Sequence, residues 1–164
     1  MASTYTPLAT TTLGSASASV TFSSIAGTYT DLVLVCNFGA DSASRLAYVR
    51  FNNDSGTNYS NTYVAGTGSA ASSARNGNTA QIYLDGTSYL STSLTGNAIM
   101  NIQNYSNTTT YKTAIHRYND ASGEALASAD LWRSTSAINR VDVLISAGNF
   151  LSGSTFTLYG ITAA

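Results

Sequence analysis

Apolar and polar residues alternate with a period of two along most of the chain. In "SVTFS" Val20 and Phe22 share one face while Ser19 and Thr21 share the other. "LAYVRF" sets Ala47, Val49 and Phe51 against Leu46, Tyr48 and Arg50, and "AQIYL" aligns Ala80, Ile82 and Leu84. "AIMNIQNY" aligns Ala98, Met100 and Ile102, "RVDVLIS" aligns Val141, Val143 and Ile145, and "STFTLYGI" aligns Phe156 and Leu158. This period marks strands with one face on a core. "DLVLVCNF" differs, with Leu32, Leu34, Cys36 and Phe38 on one face and Val33 and Val35 on the other. It predicts a mid-sheet strand covered on both sides, by a second layer or a neighbouring subunit.

Turn signals separate these runs: "GTY", "NNDSG", "RNGN", "DGT", "TGN", "NDASG" and "SGS". Many short strands divided in this way predict an all-β, jelly-roll-like two-sheet β-sandwich of about ten strands. "NDASGEALASADLW" has some helical character, but a strand with Ala127, Ala129 and Leu131 inward is preferred. One domain over residues 1–164 is expected, with residues 1–9 a candidate N-terminal arm lying on a neighbour.

Composition narrows the function classes. The 164 residues carry seven Lys and Arg against eight Asp and Glu, for a net charge of −1. Such a balance supplies no basic patch for nucleic acid. No basic and apolar leader opens the chain, and the apolar run Leu32–Cys36 is too short to cross a bilayer, so no membrane partner is expected. The lone Cys36 sits in an apolar run and reads as a buried, inert thiol.

Catalytic signatures are weak. The one histidine, His116, alternates onto the face of Lys112, Ala114 and Tyr118, which reads as the solvated side of a strand. There is no G-x-S-x-G elbow to single out a serine for a Ser-His-Asp arrangement. One histidine and one cysteine cannot make a zinc cluster, and the glycine-rich "GTGSAASSARNG" lacks the lysine and spacing of a phosphate loop. No enzyme, catalytic residue, cofactor or metal is expected.

The stretch "FNNDSGTNYSNTY" (Phe51–Tyr63) invites two further readings. Aligned on Asn52 as a calcium loop, it offers Asn52, Asp54 and Gly56, then Tyr63 where a bidentate acid is needed, so the pattern fails. An irregular site would need Asp54 joined by a distant acid such as Asp41 or Asp120. The favoured reading is a turn in which Asn52–Gly56 reverse the chain, with Asn58–Tyr63 returning as the next strand. As a binding surface, Tyr59, Tyr63 and Trp132 are the candidate stacking residues, with Tyr83 and Tyr89 behind them.

Three segments, "TTTLGSASASVTFSSIAGTYTDLVLV", "VRFNNDSGTNYS" and "GNFLSGSTFTLYGI", resemble small structural proteins of tailed bacteriophages, of the type found in phages of cyanobacteria and other aquatic bacteria. The resemblance runs from about Thr10 to Ile161 and carries no catalytic motif. It implies a virion protein made in the host cytoplasm and placed on the outer particle surface. Two roles follow from it. A capsid decoration or cement protein would bind the major capsid protein, and a tail-fibre or tail-associated protein would bind a host-surface glycan. A homo-oligomer is expected, with a trimer the first choice.

Overall fold

The computed structural model describes residues 4–85, 89–120 and 123–162. They form twelve strands: β1 (Tyr5–Thr12), β2 (Ser19–Phe22), β3 (Asp31–Phe38), β4 (Ala47–Phe51), β5 (Tyr59–Gly66), β6 (Ala71–Thr79), β7 (Ile82–Tyr83), β8 (Gly96–Gln103), β9 (Lys112–Asp120), β10 (Ala125–Trp132), β11 (Val141–Ile145) and β12 (Thr155–Ile161). An eight-stranded sheet runs in the order β1-β12-β3-β8-β9-β10-β5-β6, facing a four-stranded sheet ordered β2-β11-β4-β7.

The pairing is nested. β1 pairs with β12, β2 with β11, β3 with β8 and β4 with β7, all antiparallel. This is one long hairpin rolled up until its arms divide between two layers, the jelly-roll solution to closing a sandwich. Two hairpins are added to it: β5–β6 between β4 and β7, and β9–β10 between β8 and β11. Both join the same sheet, which therefore extends well beyond the smaller one.

The predicted inward positions hold for most strands. Val20, Phe22, Leu32, Leu34, Cys36, Phe38, Ala47, Val49, Phe51, Met100, Ile102, Val141, Val143, Phe156 and Leu158 belong to one buried cluster between the sheets. Phe38 stacks between Phe156 and Tyr118 at 6.1 and 6.2 Å, which fixes the middle of this core. β3 lies mid-sheet between β12 and β8 as its two-faced pattern requires. Burial pushes the Cys36 thiol pKa far up, keeping it inert.

Three expectations are corrected. β10 turns Leu126, Ser128, Asp130 and Trp132 inward, while Ala125, Ala127 and Ala129 face solvent. His116 is 1% exposed, because the face it shares with Ala114 and Tyr118 is the core face. Tyr5–Ala9 is not a free arm: it pairs with β12 of its own chain, and residues 1–3 lie outside the described residues.

Candidate functional site

The turn after β4 is a corner between layers, not a hairpin. β4 belongs to the small sheet and β5 to the large one, so Asn52–Asn58 carry the chain from one to the other. Asn52 and Asn53 both adopt positive φ, at 52° and 57°, a conformation asparagine tolerates better than most residues. The Asn52 side chain donates to the Ala137 carbonyl at 2.8 Å and accepts from the Asn139 and Arg140 amides at 3.0 and 3.2 Å. It thereby ties the corner to the segment entering β11.

Asp54 is the second anchor. Its Oδ1 accepts the Gly56 amide at 2.8 Å, and its Oδ2 accepts the Asn58 amide group at 2.9 Å and the Trp132 indole N–H at 2.7 Å. Burial works against its charge, yet the donors of Trp132, Asn58 and Gly56 outweigh it and hold the carboxyl below its ordinary value. Both oxygens are thus engaged by protein donors, and the distant acids proposed as calcium partners are used elsewhere. Asp41 accepts from Ser42 and Asn149, and Asp120 accepts from Thr95. Among the described residues no group of three or more His, Cys, Asp or Glu side chains converges on a metal position.

The three residues expected to form an interaction surface meet at this corner, but from the inside. Tyr59 is 0% exposed, Trp132 2% and Tyr63 8%. Tyr59 stacks on Trp132 at 6.2 Å and 15°, and Phe51 packs on both. The Tyr59 hydroxyl bonds the Phe51 amide at 3.0 Å and the carbonyls of Phe51 and Asp54. No ring face is left for a sugar to stack upon. The aromatics at this corner join the two layers.

A buried polar cluster lies where the added hairpins extend past the small sheet. His116 Nδ1 and Asp130 Oδ2 are 2.6 Å apart, with both side chains fully buried. The His116 Nε2–H donates to the Leu84 carbonyl at 3.2 Å, and one proton lies between Nδ1 and the carboxylate. Ser128 donates to Asp130 Oδ1 at 2.8 Å, and Asn61 donates to the Ser128 hydroxyl at 3.4 Å. Serine, histidine and aspartate have therefore come together, but not in hydrolase order. Nucleophilic catalysis needs the histidine nitrogen remote from the aspartate to face the serine. Here that nitrogen faces a main-chain carbonyl, and the serine bonds the aspartate instead. The cluster fastens the segment after β7 over β9 and β10, closing the interior where the four-stranded sheet ends.

Asp85, on that same segment, accepts the Ala47 amide at 3.1 Å through Oδ2, while its buried Oδ1 has no hydrogen-bond partner. Burial, reinforced by Glu124, pushes its carboxyl well above the usual carboxylate range. The folded value exceeds the unfolded one, so the protonated form favours the fold. That contribution is complete below the unfolded value and is lost as pH rises through the raised folded value. Asp85→Asn is therefore expected to raise the unfolding midpoint at neutral pH. The gain should shrink as pH falls towards 3.8, the ordinary aspartate value. Calorimetry across that range checks it, and a gain independent of pH would contradict it.

These clusters were hard to see in the sequence because their members are far apart in it. Asn61, Leu84, His116, Ser128 and Asp130 come from three strands and a connection. The one usable signal was the alternation in β9 and β10, which places His116, Ser128 and Asp130 on fixed faces before their neighbours are known.

By fold the chain is a jelly-roll β-sandwich enlarged by two hairpins. No family model matches it, and no curated protein matches it. Among solved structures, a protein of unknown function from Shewanella oneidensis MR-1 aligns over 98% of this chain and 77% of its own, at 11% identity and a TM-score of 0.23.

Proposed function

We propose that this chain is a non-enzymatic structural protein of a tailed-phage virion, a capsid decoration protein on the outer particle surface. The resemblance of three long sequence segments to such proteins supports this reading. The observation that carries it is the outer face of the eight-stranded sheet. Ile115, Val64 and Tyr5 stand 52%, 60% and 55% exposed there, beside half-buried Val35 and Ile99. Ala125, Ala127 and Ala129 keep the face flat along β10. Among the described strand residues on this face, charge enters at Asp31, Arg75 and Arg117. A broad, weakly charged, partly apolar surface suits a partner that is itself a protein wall.

The tail-associated, glycan-binding alternative is less well supported. It relied first on Tyr59, Tyr63 and Trp132, whose rings are committed to the core, which leaves Tyr89, 56% exposed, as its stacking candidate. The test is co-sedimentation of the purified protein with capsids and, separately, with tails of the parent phage. Binding to capsids is expected, and Val64→Lys with Ile115→Lys should remove most of it while shifting fold stability by no more than about 0.5 kcal/mol. Binding to tails alone would transfer the protein to the second role. Binding to neither would overturn both.

A further inference from the structure

We propose that β6 is a docking edge for a second copy of this chain, the two β6 strands pairing antiparallel about a two-fold axis at Ala74. The inference is independent of the virion role. It begins with an asymmetry among the four sheet edges.

Edges with unpaired backbone groups invite association, and proteins blunt them with short strands, proline, bulges or charge. Three of the four edges here are blunted. β7 has two residues and β2 four. β1 is longer, but Pro7 lacks an amide hydrogen and the pairing slips between Pro7 and Ala9. β6 has nine residues, no proline and a single charge, Arg75, and its register shift, where Gly77 and Thr79 face Ser60 and Tyr59, falls at its far end, beyond Ala71–Gly77. It is also exposed over nearly its whole length on both faces, so packing inside the chain does not account for so long a strand.

The backbone defines which groups are free. The β5–β6 hairpin closes on the Thr67 amide and the Ala70 carbonyl at 2.9 Å. Hydrogen-bonded pairs alternate from there along the register, at Ala65 with Ser72, Tyr63 with Ala74 and Asn61 with Asn76. The amides and carbonyls of Ala71, Ser73, Arg75 and Gly77 therefore point away from β5.

These four residues are self-complementary. Centred on Ala74, a second β6 sets Ala71 against Gly77 and Ser73 against Arg75, and each pair occurs twice by symmetry. Every outward group is used. Each guanidinium lies beside a serine, whereas centring on Arg75 would oppose two like charges. Head-to-tail pairing of β6 with β1 would meet Pro7 and the bulge, so edge pairing favours a closed two-fold dimer over a ring. The product is one continuous sixteen-stranded sheet.

The test uses the whole chain. Sedimentation equilibrium from micromolar to millimolar concentration should show a reversible dimer. Ser73→Pro removes an amide hydrogen that β5 does not use, so it should abolish the dimer and leave the unfolding midpoint of the monomer unchanged. In the proposed register Ala74 faces its own copy in a non-hydrogen-bonded pair, the close spacing that admits a disulfide. Ala74→Cys should accordingly form a disulfide-linked dimer on mild oxidation, while Ala70→Cys, beyond the paired span, should not. A protein monomeric throughout, a dimer that survives Ser73→Pro, or equal cross-linking of both cysteine variants would each overturn the proposal.

Discussion

Asp130→Ala is expected to cost about 3–5 kcal/mol of folding stability, the usual cost of removing one partner from a buried charged pair. Proteins of this kind have only about 5–15 kcal/mol in total. The loss follows from what alanine leaves behind. His116 Nδ1 loses its partner at 2.6 Å in a fully buried site, and the Ser128 hydroxyl loses its 2.8 Å acceptor and keeps only the Thr62 carbonyl at 3.3 Å. The cost should therefore come mainly from stranded polar groups, which is testable. Replacing both members with apolar residues of similar size, His116→Phe with Asp130→Leu, should recover much of the stability. Urea unfolding of the single and double variants measures the difference. A double variant no more stable than the less stable single would show that the pair itself, and not its disruption, carries the energy.

Trp132→Ala is expected to have a comparable effect, about 3–5 kcal/mol, because it empties the corner between layers. The indole stacks on Tyr59, packs against Phe51 and donates to Asp54. Trp132→Phe separates these contributions. It keeps most of the ring contact and gives up the hydrogen bond to a carboxylate, worth about 1.5–3 kcal/mol. Trp132 is the single tryptophan, so both variants must be followed by far-ultraviolet circular dichroism instead of indole fluorescence. If alanine and phenylalanine cost the same, the hydrogen bond outweighs the packing and the corner is held by Asp54 alone.

Both effects arise at joints of the fold and not in its central core. The rolled hairpin supplies a conventional apolar interior around Phe38 and Phe156. The two added hairpins widen one sheet beyond its cover, and polar bonding finishes what packing cannot. Asp130 and His116 fasten the connection across β9 and β10. Asn52 and Asp54 fasten the corner that launches β5. The same widening leaves β6 without a layer above it and the outer sheet face open, which is why the proposed contacts with other proteins lie there.

Much of this was legible in the residues themselves. Period-two alternation and frequent turns placed the chain in an all-β sandwich and assigned inward faces to β2, β3, β4, β8, β11 and β12. Those strands carry apolar residues on one face or on both, so burying the apolar face leaves no real choice. β9 and β10 were assigned the wrong way round, with His116 outward and Ala127, Ala129 and Leu131 inward, for the opposite reason. In β9, Lys112, His116 and Asp120 alternate with Thr113, Ile115 and Arg117, so both faces hold polar groups and either could have been inside. Tertiary structure decided it, because the buried face meets partners for its polar atoms: Leu84 and Asp130 for His116, and the Thr110 and Thr135 carbonyls for Lys112. Ile115 is left in solvent in exchange.

The corner follows the same rule. Asn52, Asn53 and Gly56 announce a reversal because few other residues accept such backbone conformations so readily. Whether the reversal stays within a sheet or crosses between two depends on residues some eighty positions away, at Trp132, Ala137 and Asn139. Local chemistry determined that the chain must bend there. Where the bend leads, and therefore whether Tyr59, Tyr63 and Trp132 face a ligand or the core, was decided only when the two layers closed over them.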